Sequence, residues 1–155
     1  MEDKTPRNRQ PYVLFEAGGM VDESRVSLAI YGDDLDPDAL STMLKCAPSR
    51  SHRKGDSRSH TSSPFRTGAW ILTVEGRAPR GPNELIDELL ERFPVDALFW
   101  QSLTERYQVS VQVGIHTGGW NQGFDLPLGT VTALAQRGIG IGFDLYFYGD
   151  AAADT

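Results

Sequence analysis

Four stretches of the chain alternate apolar and polar residues with a period of two, and this constrains the fold more than any other feature. Successive side chains of an extended strand point to opposite faces, so each stretch predicts a strand with one dry and one wet face. In the first, Val26, Leu28 and Ile30 oppose Arg25, Ser27, Ala29 and Tyr31. In the second, Trp70, Leu72 and Val74 oppose Ile71, Thr73 and Glu75. In the third, Val109, Val111, Val113 and Ile115 oppose Gln108, Ser110, Gln112 and His116. The fourth is expected to turn Ile139, Ile141, Phe143, Leu145 and Phe147 inward, with Gly140, Gly142, Asp144, Tyr146 and Tyr148 outward. A sheet with one wet face needs helices on the other.

The segments between the strands supply them. Asp36 followed by Pro37 reads as an N-cap and first helical position, with Ala39, Leu40, Met43 and Leu44 as the buried stripe. From Pro82 to Phe93, the residues Leu85, Ile86, Leu89, Leu90 and Phe93 recur at helical spacing. Pro94 interrupts this helix, and Asp96 is placed to cap a continuation carrying Leu98, Phe99, Leu103 and Tyr107. A last helix is expected from near Pro127, burying Leu128, Val131, Leu134 and Ala135 and stopping at Gly138. Trp70 and Trp100 read as core anchors, and Trp120, between Gly119 and Asn121, as an exposed one. The fold class is therefore α+β: a single-domain sandwich, with a four- to five-stranded mixed or antiparallel sheet and helices packed on one face. Residues 23–149 are expected to form this domain, residues 1–22 a flexible tail with a short strand at Tyr12–Phe15, and residues 150–155 a disordered tail.

Several ordered motifs point to one family. Ile30-Tyr31-Gly32-Asp33-Asp34-Leu35-Asp36-Pro37 follows the first strand, and Ala47-Pro48 closes the first helix. Lys54-Gly55-Asp56 comes next, then Gly68-Ala69-Trp70-Ile71-Leu72, and near the end Gly142-Phe143-Asp144-Leu145-Tyr146. In this order and spacing the chain resembles the domain-of-unknown-function 4279 family of bacterial proteins, over roughly residues 24–148. The Ser- and His-rich segment from Ser49 to Pro64 departs from the family pattern. The resemblance implies a binding role, of the kind an immunity partner of a toxin domain has, and assigns no catalytic residues.

Charge is distributed unevenly. Of 15 Lys and Arg and 21 Asp and Glu, six basic residues but one acid fall between Lys45 and Arg66, so that segment carries +5 and the remainder -11. One acidic cluster, Asp33, Asp34, Asp36 and Asp38, precedes and opens the first helix, where the helix dipole favours carboxylates. The other, Glu84, Asp87, Glu88 and Glu91, has the spacing of a single helix face. A solvated face is the simpler reading of that strip. The functional one is a ridge that docks a cationic protein such as a nuclease toxin, basic because it grips phosphate.

On that reading Asp33, Asp34, Glu84, Asp87, Glu88, Glu91 and Trp120 are the partner-binding residues. The basic segment offers Lys54 and Asp56 as loop candidates, and its serines predict a solvated loop. It also has a reading in which Arg50, Arg53, Lys54 and Arg58, with His52 and His60, bind phosphate or RNA, and one in which it folds back on the chain's own acidic strip. A pocket wall near Lys54–Trp70, with His116, is a further alternative and would suit a small molecule or an enzyme. The net charge of -6 argues against nucleic acid.

Cys46 and the three histidines show no metal-ligand or catalytic spacing, and Gly138–Gly142 follows a helix and enters a strand, the reverse of a dinucleotide-binding turn. No cofactor, metal or catalytic group is therefore expected. One cysteine, no long apolar run and a polar start at Met1-Glu2-Asp3-Lys4 predict a cytoplasmic protein without a membrane span.

Overall fold

The computed structural model describes residues 18–149. The strand expected at Tyr12–Phe15 and the tail at 150–155 lie outside the described residues. The elements are β1 (Gly19–Met20), β2 (Glu23–Gly32), α1 (Pro37–Leu44), β3 (Arg50–His52), β4 (Gly68–Arg77), α2 (Pro82–Glu91), α3 (Ala97–Arg106), β5 (Gln108–Thr117), β6 (Gln122–Gly123), α4 (Leu128–Gln136) and β7 (Gly140–Phe147). Five strands form one mixed sheet in the order β3-β4-β2-β5-β7. β2 pairs antiparallel with both β4 and β5, β3 antiparallel with β4, and β7 parallel with β5. The parallel pair needs a crossover, which the segment through α4 supplies. β1 and β6 form a separate two-residue parallel pair.

The alternation predicted for the three central strands is the alternation observed. Val26, Leu28, Ile30, Trp70, Leu72, Val74, Val111, Val113 and Ile115 join one core with the helices. α2 lies across β2, β4 and β5, and all five of its predicted apolar residues are buried there. Asp36 caps α1, its Oδ1 accepting from the backbone of Asp38 at 3.0 Å and of Ala39 at 3.3 Å. Asp96 caps α3 by accepting from the Leu98 backbone at 2.9 Å. Gly138, at φ +63, lets the chain turn out of α4 while the Ile139 backbone N–H bonds back to Leu134.

Four expectations need correction. Of the first helix's stripe, Leu40 and Leu44 are buried, whereas Ala39 and Met43 face solvent; eight residues make barely two turns, and only one edge meets the sheet. In α3, Leu98 is exposed and Trp100 fills the core in its place. In α4, Thr130 and Leu134 are buried, while Leu128, Val131 and Ala135 are not. In β7 the predicted faces hold, but Phe143, Leu145 and Phe147 remain exposed because no described element covers that end of the edge strand. The folded body also begins before residue 23: Val21 is buried, and Asp22 accepts from the Gly118 backbone at 2.7 Å.

The core contains one cation. Arg137, at the end of α4, is 5% exposed. It donates to the carbonyls of Ala133, Leu90 and Phe93 at 2.9, 3.3 and 3.5 Å, closing the exit of α2 where carbonyls lack helical partners.

Candidate functional site

The two acidic clusters are not free. Arg53 donates to Asp36 at 2.8 Å and to Asp38 at 3.0 Å, Lys54 to Asp33 at 2.5 Å, and Arg106 to Asp34 at 3.0 Å. The bond from Lys54, with help from Thr67, holds the Asp33 carboxyl below the usual carboxylate range. Backbone donors at the N-cap do the same for Asp36. On α2, Glu88 is bracketed by Arg80 and Arg92, and Asp87 accepts from the Thr130 hydroxyl of α4 at 2.8 Å. Of that face, Glu84 and Glu91 are exposed and Asp87 and Glu88 half-buried. Of the four carboxylates expected to form one ridge, Asp87 and Glu88 thus serve different neighbours, and Glu84 and Glu91 have none among the described residues.

The basic segment folds back on the chain, though onto the Asp33–Asp38 turn rather than onto α2. Its path is built by the sequence around Gly55. The Arg53 backbone donates to Asp56 Oδ2 at 2.8 Å, and Gly55 sits at φ +87, a left-handed turn position that a side chain would strain. The backbones of Gly55 and Asp56 then pair with Phe65, the first by donating and the second by accepting. Lys54 and Asp56 thus both make contacts within the chain: Lys54 pairs with Asp33, and Asp56 closes the turn.

Closing that turn brings residues 50–52 and 65–67 to the open face of the sheet. β3 places Arg50 opposite Ile71 and His52 opposite Ala69, on the face away from the helices. There Ala29, Ala69 and Ile71 make a small apolar floor, with Tyr31 beside it. Tyr31, Arg50, His52, Arg58, Phe65, Arg66, Thr67 and Ile71 enclose a pocket of about 390 Å³. The His52 and Phe65 rings stack at 3.4 Å, and the Arg58 guanidinium lies 4.8 Å over the Phe65 ring. Burial, reinforced by the nearby arginines and opposed by Thr67 and Asp56, pushes the His52 imidazole below its ordinary pKa.

Seven of the cations on the described surface sit in ion pairs: Arg25, Arg53, Lys54, Arg77, Arg80, Arg92 and Arg106. Arg50, Arg58 and Arg66 have no carboxylate partner among the described residues, and all three line this one pocket. The pocket continues along the open face as a groove of about 420 Å³ past Ser27, Ser110 and Gln112 to Asp144.

The remaining sequence candidates lie elsewhere. Trp70 is fully buried, its indole N–H donating to Ser41 Oγ at 3.0 Å, so it forms no pocket wall. His116 stacks on Tyr146 at 4.7 Å, toward the other edge of the open face. Trp120 is 91% exposed on a turn tied down by Asp22 and Gln122, which donates to Asp22 Oδ1 at 2.9 Å. Arg66 and Phe65 were not singled out from sequence; the signal was a second short strand, Arg50–His52, hidden inside the Ser-rich segment.

The fold is that of a small α+β domain with one helix-covered sheet face and one open face. The chain belongs to the family described as Domain of unknown function (DUF4279), whose model matches residues 22–148. No curated protein and no solved structure matches the chain. No helix among the described residues is long and apolar enough to cross a membrane.

Proposed function

We propose that the chain is a non-catalytic binding domain for a small anionic ligand, seated in the pocket between β3, β4 and residues 58–67. The observation that supports this is the convergence on one pocket of Arg50, Arg58 and Arg66, the three surface arginines with no carboxylate partner among the described residues. All three guanidinium groups are exposed and free to meet a ligand, and their planar forks match phosphate or carboxylate. The Tyr31 ring and the Ala29–Ile71 floor suit a flat apolar group attached to the anion. The pocket's volume is that of a small-molecule site. A long nucleic acid fits less well, because the chain outside residues 45–66 carries -11 and repels a polyanion that extends beyond the pocket.

The test is an NMR titration of the full chain with inorganic phosphate and with nucleoside monophosphates at low salt. Shifts at His52 and across residues 50–67 are expected, weakening at least tenfold in Arg50→Ala/Arg66→Ala. No shift at millimolar ligand would end the proposal.

A protein partner is the second reading, and Trp120 favours it: a large aromatic, almost wholly exposed, on a turn held by hydrogen bonds. Taken with the implication of the family resemblance, the partner would be a cationic toxin domain, which the chain would occlude as an immunity protein in the cytoplasm. Exposed Glu84 and Glu91 supply negative charge for that contact, and Asp33, Asp34 and Glu88 would have to give up internal partners to add to it. Failure to co-purify with any cationic toxin domain would remove this reading, and co-purification unchanged by Trp120→Ala would remove Trp120 from the contact.

A further inference from the structure

Among the described residues β7 is an edge strand, and edge strands with long apolar sides are ordinarily shielded, shortened or charged, because they invite another strand to pair. This one is eight residues long, and its helix-side row consists of Phe143, Leu145 and Phe147, which are 42%, 71% and 62% exposed. On the opposite face Tyr146 and Tyr148 are 49% and 57% exposed.

The backbone direction decides what can pair. The Tyr148 N–H donates to Thr117 of β5, so even-numbered residues of β7 turn their polar groups inward. Strand alternation then turns the N–H and C=O of Phe143, Leu145 and Phe147 outward, on the same residues whose side chains form the apolar row.

We propose that β7 is the contact between two copies of the chain, paired antiparallel about a two-fold axis at Leu145. A two-fold axis normal to the sheet keeps each face continuous only when opposed residues have the same parity, and hydrogen bonding at the axis requires an outward-facing odd residue. Centring on Leu145 sets Leu145 against its copy, Phe143 against the partner's Phe147 and Tyr148 against the partner's Gly142. It also sets Asp144 against the partner's Tyr146, whereas centring on Asp144 would oppose two carboxylates.

The five exposed side chains present roughly 500 Å² per copy, of which edge pairing covers the part turned toward the neighbouring strand, so the pair falls in the weak class of interface, below about 1,000 Å². Backbone bonds along the strand add to this, and the two sheets become one of ten strands.

The test is light scattering of the full chain from about 1 to 500 µM, with amide hydrogen exchange at matched concentrations. The expected result is twice the chain mass at the upper end, with protection of the Phe143, Leu145 and Phe147 amides that grows with concentration. Leu145→Lys, at a position exposed in the single copy, should weaken association at least a hundredfold without lowering Tm at concentrations where the parent is a monomer. A monomer at all concentrations would overturn the proposal. So would a dimer unaffected by Leu145→Lys and Phe143→Lys, or protection independent of concentration, which would assign the edge to residues 1–17 or 150–155 of the same chain.

Discussion

Replacing Arg137 by alanine tests whether the single buried cation is a fastening or a burden. Its three bonds go to carbonyls at the end of α4 and the exit of α2. Hydrogen bonds to a charged donor contribute about 1.5–3 kcal/mol each at good geometry. The two reaching α2 are long, and the Leu90 carbonyl keeps a backbone donor from Phe93. Together the three are therefore assigned about 3 kcal/mol. Its stem packs among buried residues, with the guanidinium 5.8 Å from the Trp100 ring, and losing that contact adds about 1 kcal/mol.

Against this stands desolvation, which alone pushes the Arg137 pKa down and returns about 1–2 kcal/mol when the charge is removed. The net expectation is a loss of about 2–3 kcal/mol, or roughly 4–12 °C in Tm for a domain of this size. Urea unfolding followed by circular dichroism measures it, with the slope unchanged if only the folded state is affected. Arg137→Met restores volume without charge and should recover about 1 kcal/mol. An alanine variant within about 0.5 kcal/mol of the parent would show that desolvation cancels the bonds and that Arg137 does not fasten α4 to α2.

The His52 imidazole should titrate below its ordinary value near 6.5 in the free chain and move upward when phosphate is added, read from its ring proton shifts in NMR. With its folded pKa lowered, His52 costs stability as pH falls below about 6.5, because the unfolded chain then binds the proton first. Asp22, held low first by Gln122 and then by the Gly118 backbone, works in the opposite sense: its contribution is present above about pH 4 and is lost as pH falls through its folded value. Asp22→Asn should flatten the acid limb of a Tm–pH curve. Gly32→Ala would place its Cβ 2.5 Å from the Tyr107 ring and should destabilise by about 1–3 kcal/mol in urea titration. Lys54→Ala, at an exposed pair, should cost under about 1 kcal/mol in the same assay.

The fold was legible wherever a residue's environment follows from its immediate neighbours. β2, β4, β5 and α2 are central, so every apolar residue on their inner faces meets another layer, and periodicity alone assigns their burial. It failed at the rim. Met43, Leu98, Leu128 and Leu145 carry the correct spacing but lie where the covering layer stops, and spacing along a chain says nothing about where a neighbouring layer ends. β3 was missed for another reason. Three residues cannot display a period, and its pairing to β4 rests on Ser49 and Arg50 finding Thr73 and Ile71 across a loop.

The site was legible in composition and illegible in partnership. Counting charges along the chain locates a basic segment and two acidic ones, yet a cation's function depends on what remains after internal pairing. Arg53 and Lys54 belong to the same run as Arg50 and Arg58, but the turn at Gly55 sends the first two to aspartates and leaves the others facing a pocket. Arg66 joins them from the far side of the same loop only because Phe65 pairs with Gly55 and Asp56. The acidic strip shows the converse. Its regular spacing suggested a uniform ridge, and tertiary contacts divided it between α4 and two arginines. Where opposite charges are abundant, the informative residues are those the fold leaves unmatched, and among the described residues three such arginines gather around one apolar floor. Reversing one of them, Arg66→Glu, should therefore abolish phosphate-induced shifts at His52 while leaving Tm within about 1 kcal/mol equivalent of the parent, since no internal partner is lost. A large drop in stability would instead reveal a structural role for Arg66 and weaken the case for the pocket.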